Sequence, residues 1–198
     1  GGYRGTFGST LNSQVQIDIF YARARKYPRT LEAALDGANI PTSVYTRLVE
    51  GVNRHLATFH RYLGLRQRML GVDQLHYYDL YAPLVASVDL SYSIEEAQRH
   101  ILESLAPLGQ EYLAGARRSF TERWIDWHPT EGKRAGAYSN GGAYDVHPYM
   151  LLNYNGKYND MSTVTHELGH TMHSFFSNRD QPYPTASYSI FVAEVAST

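Results

Sequence analysis

Two histidines four residues apart, His166 and His170, with Glu167 beside the first, form the group whose types and spacing best suit chemistry. On an α-helix four residues correspond to about 40° of rotation and roughly 6 Å of rise, so both imidazoles leave the same side and can meet one metal ion. Glu167 is angled off that axis. It is placed to take a proton from a metal-bound water instead of filling a coordination position. Val164, Leu168, Met172, Phe175 and Phe176 give the surrounding run an apolar face, and Asp160 precedes it as an N-cap, so the motif reads as lying on a helix. The chain has no cysteine, which excludes disulfides, thiolate metal sites and cysteine nucleophiles together. Any metal must rest on His, Asp or Glu.

A tetrahedral catalytic zinc takes three protein ligands and leaves its fourth position to water. The extended metzincin pattern would need a glycine three residues after His170 and a histidine six after; those places hold His173 and Phe176. His173 lies within about 20° of His166 but roughly 10.5 Å along the axis, a spacing suited to packing or orienting a neighbour. The remaining candidate is Glu194, in the apolar stretch that Ser189 caps after the loop containing Pro182 and Pro184. One carboxylate in an otherwise uncharged helix is costly to bury unless it is paired or coordinated.

These side chains need a scaffold, and the preceding sequence reads as mainly α. Leu11, Val15, Ile19, Phe20 and Ala22 mark an amphipathic helix from Ser9 to about Tyr27, ended by Pro28. A short helix capped by Thr30 closes at Gly37, and Pro41 opens a long one over Ser43 to Leu70. Its apolar stripe runs Val44, Leu48, Val52, Leu56, Phe59, Leu63 and Leu70, with Arg47, Arg54, Arg61 and Arg68 on a solvated face. The tyrosine-rich segment Leu75 to Leu90 reads as irregular or extended. Ser93 and Glu96 form a capping box for a helix through Leu105; Pro107 interrupts it, and a further helical stretch reaches about Phe120.

At Gly132 the composition changes. Four glycines between 132 and 142, then the apolar and aromatic run Pro148 to Tyr154 closed by Asn155-Gly156, predict a small β-ribbon inserted before the metal-binding helix. Such a strand, with Gly141 and Gly142, has two readings: a structural hairpin, or an edge that holds an extended peptide by main-chain pairing. Tyr138, Tyr144, His147 and Tyr154 are the side chains placed to line that cleft.

Eighteen basic residues balance nineteen acidic ones, so there is no field to recruit nucleic acid or an anionic membrane. No apolar run approaches the roughly 18 to 20 residues needed to span a bilayer. The seventeen tyrosines suit a wet, amphipathic cleft. The chain opens Gly-Gly-Tyr without methionine, so a targeting segment in a longer parent is not excluded.

The stretch His166-Glu-Leu-Gly-His170-Thr-Met-His173-Ser, together with Phe191-Val-Ala-Glu194-Val-Ala-Ser-Thr198, resembles the zinc core of oligoendopeptidase F, within the thimet oligopeptidase family. Asp18 to Lys26 and Leu75 to Pro83 resemble the same subfamily. The resemblance implies a helical zincin-type fold around a deep channel, cytoplasmic cleavage of oligopeptides, and one Zn2+ held by His166, His170 and Glu194 with Glu167 as base. It also implies a longer parent, with helical lobes on either side and transition-state-stabilising His and Tyr residues beyond Thr198. Residues 1–130 are then a helical scaffold and 131–198 a zinc-binding core incomplete at its C-terminal side, with the remaining parent segments as its partners. The competing expectation is a non-catalytic helical module that binds peptides or a protein, or a fragment inactive without the missing lobe.

Overall fold

The computed structural model describes residues 2–85 and 90–198, and divides into two units, Gly1–Ser87 and Val88–Thr198. The fold is mainly α, with one small sheet among the described residues. In the first unit, α1 (Arg4–Ala24), α2 (Thr30–Asp36) and α3 (Thr42–Leu70) follow one another. Thr30 stands inside α2 and not at its cap; Arg29 holds that place with extended backbone. Gly71 ends α3 in the left-handed region at φ 68°, which a glycine adopts without steric cost. Tyr77–Tyr81 forms a turn of 3₁₀-helix where an irregular segment is expected, and positions 86–89 of that segment lie outside the described residues. The turn is tied to α3 by Arg66, which is buried and donates to the carbonyls of Asp79 and Ala82. The stripe expected to bury on α3 remains exposed in this unit, from Leu48 through Phe59, and the four arginines are solvated as expected.

The second unit carries the site. Ser93 caps α4 (Ile94–Ser104): its hydroxyl accepts from the Glu96 N–H at 3.1 Å while the Glu96 carboxylate accepts from the Ser93 N–H at 2.8 Å. Pro107 falls in a short 3₁₀ turn, and α5 (Gln110–Thr121) follows. Beyond the helical stretch expected to reach about Phe120, in a part of the chain read as helical scaffold with no strand, the chain forms β1 (Ile125–Asp126). Two residues are too short to show a period, and their strand character comes from pairing. β1 runs parallel to β3 (Tyr149–Leu151), which also pairs antiparallel with β2 (Tyr138–Asn140), giving the order β1-β3-β2.

That order changes the expected ribbon. The strand around Pro148 to Tyr154 is central, its N–H and C=O groups engaged on both sides, with Met150 and Leu152 donating to the carbonyls of Trp124 and Asp126. It cannot be the edge that receives a peptide. Among the described residues β1 and β2 each pair only with β3, so both are edge strands, and β2 is the edge strand that follows the glycines at 132 and 136.

Across the sheet lies α6 (Tyr158–Asp180), then a loop and α7 (Ile190–Ser197). Asp160 is the third residue of α6 and not its cap. Its Oδ2 reaches back to accept from the N–H groups of Lys157 at 2.9 Å and Asn155 at 3.0 Å, satisfying donors that a helix start leaves open. Val164, Leu168 and Met172 are fully buried against Met150, Leu152, Trp124, Ile101 and Ala116. Burying one Leu- or Met-sized side chain of this kind contributes about 1.5–3 kcal/mol. One stripe of α6 thus anchors in the core, and the positions two residues on, about 200° around the helix, face the opposite way.

Candidate metal centre

That opposite stripe is His166, His170, Ser174 and Asn178, which line one cleft of about 540 Å³ with β2, Gly141, Gly142 and α7. The two imidazoles turn their Nε2 atoms toward each other at 3.2 Å. Glu194, from the middle of α7, brings Oε2 to 3.8 Å from each of those nitrogens. Among the described residues, these three form the group of His, Asp and Glu side chains close enough to share one cation. The circle through the three atoms has a radius of about 2.1 Å, against zinc–nitrogen and zinc–carboxylate distances of about 2.0–2.2 Å. Two imidazoles and a carboxylate are also the donor set that suits zinc. His170 is the more enclosed ligand candidate, its side chain 17% exposed against 44% for His166 and 54% for Glu194.

Glu167 stands apart from the triad in burial, only 7% exposed, and opens into the same cleft and into a neighbouring cavity of about 620 Å³. One turn further, buried Thr171 meets Ser139 of β2, their hydroxyls 2.7 Å apart. This bond holds the open strand beside the Glu167 face of the helix.

The residues expected to line the cleft divide. Tyr138, Gly141, Gly142 and Tyr144 line the cavity that contains the triad. Gly141 is pressed against Ser174, where a Cβ would overlap the Ser174 side chain, and its carbonyl accepts from Asn178 Nδ2 at 3.0 Å. Tyr144 donates to the Gln181 carbonyl at 2.6 Å. Tyr154 borders the neighbouring cavity, but its ring is buried edge-on to Trp127 and its hydroxyl donates to the Tyr92 carbonyl at 3.0 Å. His147 lies away from the triad's cleft: its ring stacks on buried Trp124 with centroids 4.8 Å apart and planes at 2°. That stacking depends on a residue far back in the chain, so no local pattern announces it.

Ser174, Asn178 and Tyr188 line the cleft without having been picked out from the sequence. Ser174 and Asn178 continue the four-residue spacing of the histidines, a signal the sequence does carry. Tyr188 has none. Its hydroxyl lies 2.5 Å from Ser174 Oγ, and its ring stacks on His173 with centroids 3.7 Å apart. His173 therefore packs, as its spacing suggests, and burial followed by the charge of His170 pushes its imidazole below the usual range.

Residues 4–198 match peptidase family M3. The chain belongs to that family. The M3 chain is 46% identical over 198 residues to oligopeptidase PepF of Bacillus subtilis, covering all of this chain and 29% of the relative. It is 44% identical to group B oligopeptidase PepB of Streptococcus agalactiae, covering 99% of this chain and 32% of that one. Among solved structures it superposes on oligoendopeptidase-F from Enterococcus faecium with a TM-score of 0.61 at 32% identity, covering 99% of this chain and 26% of that one. The chain thus spans about a third of the length of the curated relatives. No helix among the described residues is long and apolar enough to cross a membrane.

Proposed function

We propose that these residues form the catalytic core of a zinc-dependent oligopeptidase acting in the cytoplasm on short peptides. The observation that carries the reading is the convergence of His166 Nε2, His170 Nε2 and Glu194 Oε2 within 3.8 Å of one another. His166, His170 and Glu194 would hold one Zn2+, which when bound acidifies water and polarises the scissile carbonyl. Glu167 is the proton carrier. It sits next to a ligand on the helix, opens into the cleft from a largely buried position, and is free of any role in holding the triad together. As general base it accepts a proton from the attacking water, and as general acid it returns that proton to the leaving amine.

The peptide lies along β2. Tyr138–Asn140 is an edge strand that lines the same cleft as Glu167. An extended substrate would add as a further strand through main-chain hydrogen bonds, a mode that tolerates varied side chains. The PepF and PepB names of the relatives, both oligopeptidases, support short peptides as the substrate class.

The test is hydrolysis of a quenched fluorescent peptide by the complete natural protein, with and without chelator. Cleavage that stops on chelation and returns with zinc supports the reading. Chelator-insensitive cleavage rejects it.

A further inference from the structure

Gly169 stands in the middle of α6, between the two histidines, where glycine is intrinsically worse than alanine for helix stability. Gly51 in α3 has room: nothing lies within 4 Å of a Cβ placed there. At Gly115 a Cβ would meet the Met172 methyl group, the far end of a flexible side chain. Gly169 differs in what it faces. A Cβ there would fall on the Ala196 carbonyl oxygen, 2.6 Å from Ser197 Cα and 3.1 Å from the Ala196 carbonyl carbon. These are backbone atoms of α7, so no rotamer change relieves the overlap. Restoring an ordinary carbon–carbon contact of about 3.5–4.0 Å requires α7 to retreat by about 1 Å.

The same turn of α7 carries Glu194. Ser197, whose Cα rests on Gly169, turns its hydroxyl to Glu194 and donates to Oε2 at 3.3 Å. Metal–ligand distances tolerate only about 0.2 Å. We propose that Gly169 is a positioning residue for the Glu194 carboxylate: its missing side chain lets α7 dock on α6 closely enough for that carboxylate to meet the His166–His170 pair. This deepens the metal reading above and rests on it.

The test measures zinc dissociation constants in the complete natural protein by competition with a chromophoric chelator. Gly169→Ala is expected to weaken zinc by about 10–100-fold, the range for residues that orient ligands, while Gly51→Ala leaves it unchanged. Because Gly169 acts through Glu194, the Gly169→Ala/Glu194→Ala double variant is expected to bind no more weakly than Glu194→Ala alone. Glu194→Asp, which shortens the carboxylate's reach without touching the helix contact, is expected to lose affinity in the same range. The visible spectrum of cobalt-loaded Gly169→Ala should shift toward that of Glu194→Ala. Wild-type affinity in Gly169→Ala or in Glu194→Asp, or a further loss in the double variant, overturns the proposal. Should far-UV circular dichroism show Gly169→Ala unfolded, Glu194→Asp decides alone. A wild-type protein that binds no zinc overturns the metal reading, and this inference with it; tight wild-type binding with Gly169→Ala unchanged removes only the role of Gly169.

Discussion

Glu194 and His170 come from different helices, and Oε2 of the one lies 3.8 Å from Nε2 of the other. A carboxylate more than half exposed on a short apolar helix is thereby held against the more enclosed of two imidazoles. The consequence is measurable through stability as well as turnover. A ligand that binds only the folded state stabilises it by about 2.7 kcal/mol at a hundred times its dissociation constant. Chelation is therefore expected to lower the melting temperature of the zinc-loaded protein, and Glu194→Ala to remove most of that chelator-dependent shift. Differential scanning calorimetry with and without chelator checks this.

Glu167→Gln keeps the size of the side chain and removes its basicity. Loss of a general acid–base group costs about 10²- to 10⁴-fold in rate, so kcat on a fluorogenic peptide is expected to fall in that range. Zinc content by elemental analysis should stay at the wild-type level, since Glu167 is outside the triad. Unimpaired turnover would remove Glu167 from the chemistry.

Much of this centre is legible in the sequence because it is local. His166, Glu167 and His170 are neighbours on one helix, and the apolar residues at Val164, Leu168 and Met172 fix which way that helix faces. Glu194 is legible as the one carboxylate of an uncharged stretch, but not through the burial cost expected of it, since its side chain is more than half exposed among the described residues. What escapes is set by partners distant in the chain. That β3 is a central strand depends on two-residue β1 pairing in parallel. That His147 leaves the cleft depends on Trp124. The apolar stripe of α3 reads as a face to bury, yet it stays exposed within its unit, because amphipathic spacing states a preference and not the presence of a partner.

Placing the substrate on β2 predicts dependence on the peptide's own backbone. Each main-chain hydrogen bond is worth about 0.5–1.5 kcal/mol net. Methylating one amide nitrogen that pairs with β2 should therefore lower kcat/KM roughly 2- to 12-fold, whatever the side chain at that position. A scan of singly N-methylated peptides checks it, and a flat scan would move the substrate off this edge.

His173 gives a pH dependence with a definite sign. Its folded-state pKa is depressed, first by burial and then by His170, so below the usual histidine value of about 6.5 the unfolded chain binds the extra proton more readily. Stability of the metal-free protein is expected to fall as pH drops from about 6.5 toward the lower folded value, and to level off beneath it. Urea midpoints at a series of pH values for wild type and His173→Gln check this. The variant should show a shallower decline, and an equal slope would assign the effect elsewhere.

The double hold of Asp160 on the Asn155 and Lys157 N–H groups sets where α6 starts counting. Each residue added after that point turns everything downstream by about 100°. One alanine inserted between Asp160 and Val164 would put the Asp160 hold about 100° out of phase with the buried Val164, Leu168 and Met172 that fix which way the histidines face, while leaving every residue of the motif in place. The six-residue interval from that aspartate to the first histidine is therefore as much a part of the candidate site's signature as the letters within it.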